Sequence, residues 1–297
     1  MRVFLTGATG FIGSAIVPEL IAAGHQVLGL ARSDASAESL AAGGAQVHRG
    51  DLEDLESLRS GAAISDAVIH TAFNHDFSKY VANCEADRRV IEALGSVLAG
   101  SDRLLMVTSG TGVSNSAAAG VPSTEDDPPA SSKLVPRAAS EEAAAAVADL
   151  GVRMAIVRLP QVHDTERQGL VTYAIRLARE KGVSAYVGDG LNRWPAAHRV
   201  DTAHLYRLVL EKADAGARYH AVAEEGVPVR DIAEAIGRGL NVPVVSIKPE
   251  EAARQFGWLA TFVGWDIPAS SALTREKLGW NPTGPGLISD LGNMRYR

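Results

Sequence analysis

Apolar positions along this chain come in two rhythms. Short continuous runs occur at 3–5 (VFL), 25–31 (HQVLGLA), 45–49 (AQVHR), 67–70 (AVIH), 104–107 (LLMV) and 152–159 (VRMAIVRL). Between them lie stretches of helical period: Ile12, Ile16, Leu20 and Ile21, then Leu55 and Leu58, then Val81, Val90, Ile91, Leu94 and Leu98. Runs of four to eight residues read as buried strands, and the 3.6-residue period reads as amphipathic helices. Strict alternation of the two predicts a parallel sheet with right-handed crossovers and helices on both faces. This is an α/β, Rossmann-type doubly wound architecture. Gly24 is a natural stop for the first helix, and Pro18 should cost that helix some regularity.

The rhythm weakens after the sixth run. Leu170, Ala174, Leu177 and Ala178 give one helix, with Thr165 as its cap, and Asp201 is the expected N-cap of a helix over 202–212. Further elements are a strand at 218–222, a helix at 232–240, a strand at 242–247 and a capped helix ending at Gly279. A boundary near 160 divides a Rossmann domain, 1–160, from a smaller α/β substrate lobe, 161–297, partly interleaved with it. Residues 110–132 are rich in Gly, Ser, Pro, Thr and Asp and lack a period. A loop that long is functional or disordered, and after the fifth strand it is placed to cover a substrate.

Composition narrows the class. With 46% hydrophobic and 22% charged residues, the chain is an ordinary globular one. A net charge of −6 offers no basic excess for nucleic acid. No apolar run reaches membrane-spanning length, and there is no signal-peptide pattern. The one cysteine, Cys84, can form neither an internal disulfide nor a thiolate metal site, and it fits a cytoplasmic protein.

The chemistry is concentrated at strand ends. Gly7, Gly10 and Gly13 follow the first strand at three-residue spacing and open a helix. Strand, glycine turn and helix together form a pyrophosphate site: one glycine for the turn, one for backbone approach, one for close packing. Thr9, Phe11 and Ile12 complete that turn. The second strand ends at Ala31, where NAD-binding folds of this type place an acidic residue. Here Arg32 and Ser33 follow, and Asp34 only after them. A forked cation suits a 2′-phosphate, so the cofactor expected is NADP(H). Asp51 and Leu52 follow the third strand, with Asp51 read as a helix N-cap, an adenine neighbour, or both. Thr71, Ala72 and Phe73 follow the fourth, and Thr108, Ser109 and Thr111 the fifth; ligands of open parallel sheets bind at this edge.

These segments resemble a family. TGATGFIG (6–13), GDL (50–52), HTA (70–72), VTS (107–109), VRLPQV (157–162) and AHRVDTA (197–203) look like extended or atypical short-chain dehydrogenase/reductases of the NAD-dependent epimerase/dehydratase type. The resemblance implies that Leu159 and Val162 pass the nicotinamide. It also places the family's active-site Asn at Asp87 and its Ser among Ser109, Gly110 and Thr111. The family's catalytic Tyr, with Lys four residues later, has no counterpart. The residues four beyond Tyr80, Tyr173, Tyr186, Tyr206 and Tyr219 are Cys84, Leu177, Gly190, Leu210 and Ala223, and Tyr296 runs off the end. Counted back from the glutamates near 141, the two positions look like Lys133 and Arg137.

Donors left for a developing alkoxide are Lys133, Ser109, Thr111 and His163, with Asp87 as a relay. His163, Arg193, Trp194 and His198 are candidate substrate contacts. The run Phe256, Trp258, Phe262 and Trp265 suits an apolar lid, an oligomer surface such as a homodimer's, or the small lobe's core. The function expected is hydride transfer between NADP(H) and a small carbonyl or alcohol. Its rivals are a nucleotide-sugar epimerase or dehydratase and a non-catalytic NADP-binding sensor or scaffold.

Overall fold

The structure is a computed structural model describing residues 1–114 and 120–296. In the first half, strands β1 (Arg2–Thr6), β2 (Gln26–Ala31), β3 (Gln46–Arg49), β4 (Ala67–His70) and β5 (Leu104–Gly110) alternate with helices α1 (Gly13–Ala22), α2 (Asp34–Ala42), α3 (Leu55–Ala63) and α4 (Tyr80–Leu98). Helix α5 (Ala139–Asp149) and strand β6 (Met154–Leu159) continue the pattern. The second half contributes β7 (Gln161–His163), α6 (Val171–Lys181), β8 (Ser184–Val187), β9 (Arg193–His198), α7 (Arg199–Lys212), β10 (Arg218–His220), β11 (Glu224–Pro228), α8 (Val229–Leu240) and β12 (Val244–Ile247). Helix α1 runs through Pro18, which lies on its exposed side.

Seven strands form one parallel sheet in the order β10-β6-β5-β4-β1-β2-β3. Its order reverses between β1 and β4, which opens a crevice at their carboxyl ends. Both faces are covered, so alternate residues of one strand enter different cores. Val3 and Leu5 pack with Ile16, Leu20, Leu205 and Tyr206, from α1 and α7. Phe4 packs with Leu58, Ile91 and Leu94, from α3 and α4. Although they follow residue 160, α7 and β10 belong to this body.

The smaller lobe has its own core around Val171, Trp194, Val227, Ile236, Phe256 and Leu291. It carries a three-stranded sheet, β11-β9-β7, and the parallel pair β12-β8. Four of these strands, β7, β8, β9 and β11, lie outside the sequence expectation, and Arg193 and Trp194 open β9. Pro195 disguises β9, because proline cannot donate to a central ladder. The structure accommodates it with a register shift in β11 between Glu224 and Val227. Thr165 caps nothing, as Leu170 precedes α6 without a side-chain cap. Among the described residues no helix is long and apolar enough to cross a membrane.

Candidate active site

The glycine turn occupies the crevice between β1 and β4. Gly7 takes φ +70°, where only glycine is unstrained, and a Cβ there would lie 2.8 Å from the Ala72 nitrogen. A Cβ on Gly13 would lie 2.1 Å from the Gly7 carbonyl oxygen. Strand, turn and helix are thus in backbone contact; the Ser14, Ala15 and Ile16 nitrogens bond the Gly10 and Ile12 carbonyls, and those of Phe11, Ile12 and Gly13 are left to meet an anion. Arg199 roofs the turn. Its guanidinium stands 5.0 Å from the Phe11 ring centre and donates to Ser14 Oγ at 2.8 Å and to Asp164 at 3.1 Å. Arg199, not the neighbouring His198, is the residue at this turn.

At the end of β2, Arg32 is exposed, and Ser33 caps α2 by accepting from the Ser36 nitrogen at 3.2 Å. Asp34, the residue that would argue for NAD, is held by Arg49 at 2.5 Å. Arg49 ends β3 directly beside Ala31, so two arginines flank this corner. Asp51 does not cap α3. Asp54 does, accepting from Glu56 and Ser57, while Asp51 closes a two-residue turn onto the Glu53 nitrogen at 2.9 Å. Leu52 lies beside it, half-buried.

The crevice continues into a buried polar chain. Thr6 Oγ1 meets His70 Nδ1 at 2.7 Å, and His70 Nε2 meets Asp87 Oδ1 at 3.0 Å. An ionised carboxylate only accepts, so Nε2 carries the proton and Nδ1 accepts from the threonine hydroxyl. Asp87 Oδ2 accepts from Arg137 at 2.6 Å and from Ser140 at 2.5 Å. Arg137 also donates to the Thr108 carbonyl at 2.8 Å and lies 4.3 Å over the Phe73 ring. Burial alone would raise the Asp87 carboxyl; the Arg137 charge, with His70 and Ser140, outweighs it and holds the group well below the usual range. Asp87 is 4% exposed, so it is no polar residue on an open helix face. The chain ties the carboxyl ends of β1, β4 and β5 together.

Lys133 is not part of this chain. It is exposed, four residues before Arg137, and its backbone nitrogen bonds Ser131. The four-residue pair that faces β5 is Arg137 and Glu141. Glu141 is buried, bonds Arg158 at 2.8 and 2.9 Å, and lies beside Ser109. The Ser109 and Thr111 hydroxyls are buried, and Thr111 Oγ1 donates to the Leu159 carbonyl at 3.4 Å. Thr108 Oγ1 is paired with the Tyr206 hydroxyl at 2.7 Å. The three hydroxyls at the end of β5 thus pack inward. Thr71 Oγ1 likewise donates to the Thr6 carbonyl. Thr9 and Gly10 stay exposed in the turn, and Ile12 immediately precedes α1.

The expected substrate contacts fall differently. Trp194 is 2% exposed, a core residue of the small lobe. Arg193 pairs with Asp266 at 2.9 Å, and with Asn192 it fixes the 263–266 backbone. Val162 is buried, and His163 beside it is fully buried against Asp290 at 2.7 Å. His198 caps α7 by accepting from the Val200 nitrogen at 3.3 Å, which is the role expected of Asp201. Asp201 instead accepts from the Thr283 and Gly284 nitrogens.

An aromatic collar faces Arg137. Phe77, before α4, stacks on Trp258 at 4.2 Å and 5°, and meets Tyr80, Tyr173 and Phe262. Phe262 adjoins Tyr80 and Trp265, and Trp265 reaches Gly112 beyond β5. Phe73, Phe77, Tyr80, Phe262 and Trp265 are all half-buried, leaving aromatic surface open beside the sheet edge. Phe256 is instead a core residue. Tyr80 and Glu141 carry no tyrosine–lysine spacing, whereas Trp258, Phe262 and Trp265 of the collar belong to the run expected to suit an apolar lid. The signal available was Tyr80, Cys84 and Asp87 at helical spacing on one face.

The model of the NAD dependent epimerase/dehydratase family matches residues 3–223. An uncharacterised protein of Schizosaccharomyces pombe is 49% identical over 298 residues, spanning 100% of both chains. An uncharacterised protein of Saccharomyces cerevisiae is 46% identical over 98% of both. The solved structure of DesIV, a dTDP-glucose 4,6-dehydratase from Streptomyces venezuelae with NAD and TYD bound, superposes with a TM-score of 0.79. It is 20% identical, over 100% of this chain and 96% of that one, and therefore speaks for the fold alone.

Proposed function

The chain belongs to the NAD dependent epimerase/dehydratase family, and from that premise we propose that it is an NADP(H)-dependent oxidoreductase acting on a small carbonyl or alcohol. The observation that carries the cofactor reading is the corner after β2. Arg32 is exposed there while Asp34 is already neutralised by Arg49. A 2′-phosphate would meet the free charge of Arg32, and the acidic competitor for a ribose hydroxyl is engaged by Arg49. The glycine turn, the α1 N-terminus and Arg199 would hold the pyrophosphate, Asp51 and Leu52 the adenine side, and Thr71, Ala72, Thr108, Leu159 and Val162 the nicotinamide side. The bound nicotinamide supplies hydride chemistry; the residues of this chain orient the partner and manage protons.

The collar argues for the substrate class. Open aromatic faces take planar, uncharged molecules by stacking. Arg137, the nearby cation, is bound by Asp87, which leaves it little capacity for a second anion. A compact aromatic or apolar aldehyde or ketone fits these groups better than a nucleotide sugar does. Membership of the NAD dependent epimerase/dehydratase family supports the second reading, an epimerase or dehydratase. One experiment separates them. The purified protein is mixed with NADPH and benzaldehyde, acetophenone or a short aliphatic aldehyde, and loss of reduced-nicotinamide absorbance is followed; in parallel it is mixed with NAD+ or NADP+ and UDP-glucose, and the sugar nucleotide is analysed by chromatography, because that conversion consumes no net cofactor. Consumption with the carbonyl compounds is expected. Conversion of UDP-glucose, with all three carbonyls inert, would overturn the reading.

A further inference from the structure

A hydride acceptor needs a proton donor, and Arg137 cannot serve as one while its charge is locked to Asp87. The tyrosines can be sorted by place. Tyr206 is fully buried, with its hydroxyl on Thr108. Tyr219 is buried, and its hydroxyl accepts from the Asp214 nitrogen at 3.0 Å. Tyr186 packs at Gly190 and Tyr296 at Gly239, both in the small lobe. Tyr173 lies behind Phe77 and Trp258, with Arg176 over its ring. Tyr80 is left. It is the first residue of α4, half-buried, with its ring against Phe77 and Phe262.

Helix geometry sets its reach. Tyr80, Cys84 and Asp87 lie one turn apart on a single face of α4, and Asp87 grips Arg137. The Tyr80 hydroxyl lies on the Cys84 side of the helix, and both groups feel the Arg137 charge. We propose that Tyr80 is the proton donor of this site, its hydroxyl meeting the oxygen of a carbonyl compound held in the aromatic collar. The assignment rests on the oxidoreductase reading. The carbonyl π bond breaks, its carbon gains hydride from the reduced nicotinamide, and its oxygen gains the Tyr80 proton. The phenolate left behind faces the Arg137 charge and recovers a proton from water. Burial, with Cys84 beside it, pushes the phenol up to about 12 against the pull of Arg137, so the donor is protonated at rest. A donor on α4 needs no lysine four residues later, because Arg137 supplies the positive charge.

Tyr80→Phe removes the hydroxyl and keeps the ring, which makes it the test. Three quantities are read on wild type and variant: NADPH affinity, benzaldehyde binding to the NADP+-loaded protein, and NADPH oxidation by benzaldehyde in H2O and D2O. Benzaldehyde binding is followed through quenching of Trp258 and Trp265 fluorescence. The variant should bind NADPH as wild type does and lose about 10²-fold or more in kcat. Its benzaldehyde Kd should weaken by roughly two- to tenfold, the worth of one hydrogen bond, and its solvent isotope effect should vanish. Wild-type kcat in the variant overturns the assignment, and so does a fall in kcat matched by equal losses in NADPH affinity and melting temperature. If wild type binds NADPH but oxidises it with no carbonyl, the oxidoreductase reading fails; equal benzaldehyde binding by both proteins then removes Tyr80 as well.

Discussion

Replacing Arg137 with alanine lowers the stability of this protein by about 3–5 kcal/mol, the cost of stranding one partner of a buried ion pair. Asp87 keeps His70 and Ser140 as donors but loses its countercharge in a site where the carboxylate side chain is 3% exposed. The loss is read from denaturant midpoints at neutral pH. Its pH dependence has a definite sign. The folded carboxyl titrates below its unfolded value, so its contribution is complete above roughly pH 3.9 and fades as pH falls through the lower folded value. Without Arg137, burial dominates and the folded carboxyl rises instead, and an uncharged Asp87 needs no partner. The gap between wild type and variant therefore narrows on acidification, and adding Asp87→Asn to Arg137→Ala recovers much of the loss at neutral pH. A loss under about 1 kcal/mol would mean the pair is worth no more than a surface salt bridge.

Gly13→Ala is expected to damage the cofactor site more than the fold. The added methyl meets three backbone atoms, the Gly7 oxygen at 2.1 Å, the Gly7 carbon at 2.8 Å and the Ala8 Cα at 2.9 Å. None can rotate away as a side-chain tip would, so the turn must open. Overpacking of this kind costs about 1–3 kcal/mol. Expressed in the turn, it is roughly a 10–100-fold loss of NADPH affinity by titration. Gly292→Ala is the control, because nothing lies within 4 Å of its added carbon. Equal NADPH affinity in Gly13→Ala and wild type would place the pyrophosphate elsewhere.

The large sheet was legible because its strands are buried on both faces and read as unbroken apolar runs between periodic helices. The small lobe was not. Its strands β7, β8 and β11 have three to five residues, too few to show a period, and Pro195 interrupts β9, so that only β12 is expected from the sequence. The glycine turn could be read from residue types at fixed spacing, and Asp87 from the family resemblance of its helix. The partners of Asp87 could not, because His70 comes from β4, and Arg137 and Ser140 from just before and at the start of α5, and they meet α4 only in space. Capping showed the same limit. Asp51 and Asp54 are chemically alike, and at α7 His198 caps although Asp201 is the better capping type, so only the path of the backbone decides which meets a free N–H. Trp194 and His163 looked like ligand groups because a core tryptophan and a buried histidine carry no mark of burial in the sequence.

The most direct measurement is a calorimetric titration of the wild-type protein and Arg32→Asp with NADPH and NADH at equal ionic strength. A charge-assisted bond to the 2′-phosphate is worth about 1.5–3 kcal/mol, so wild type should favour NADPH by roughly 10–100-fold. Arg32→Asp should reverse that order. NADH bound as tightly as NADPH by wild type, with Arg32→Asp changing neither, would contradict an NADP(H) site at the end of β2.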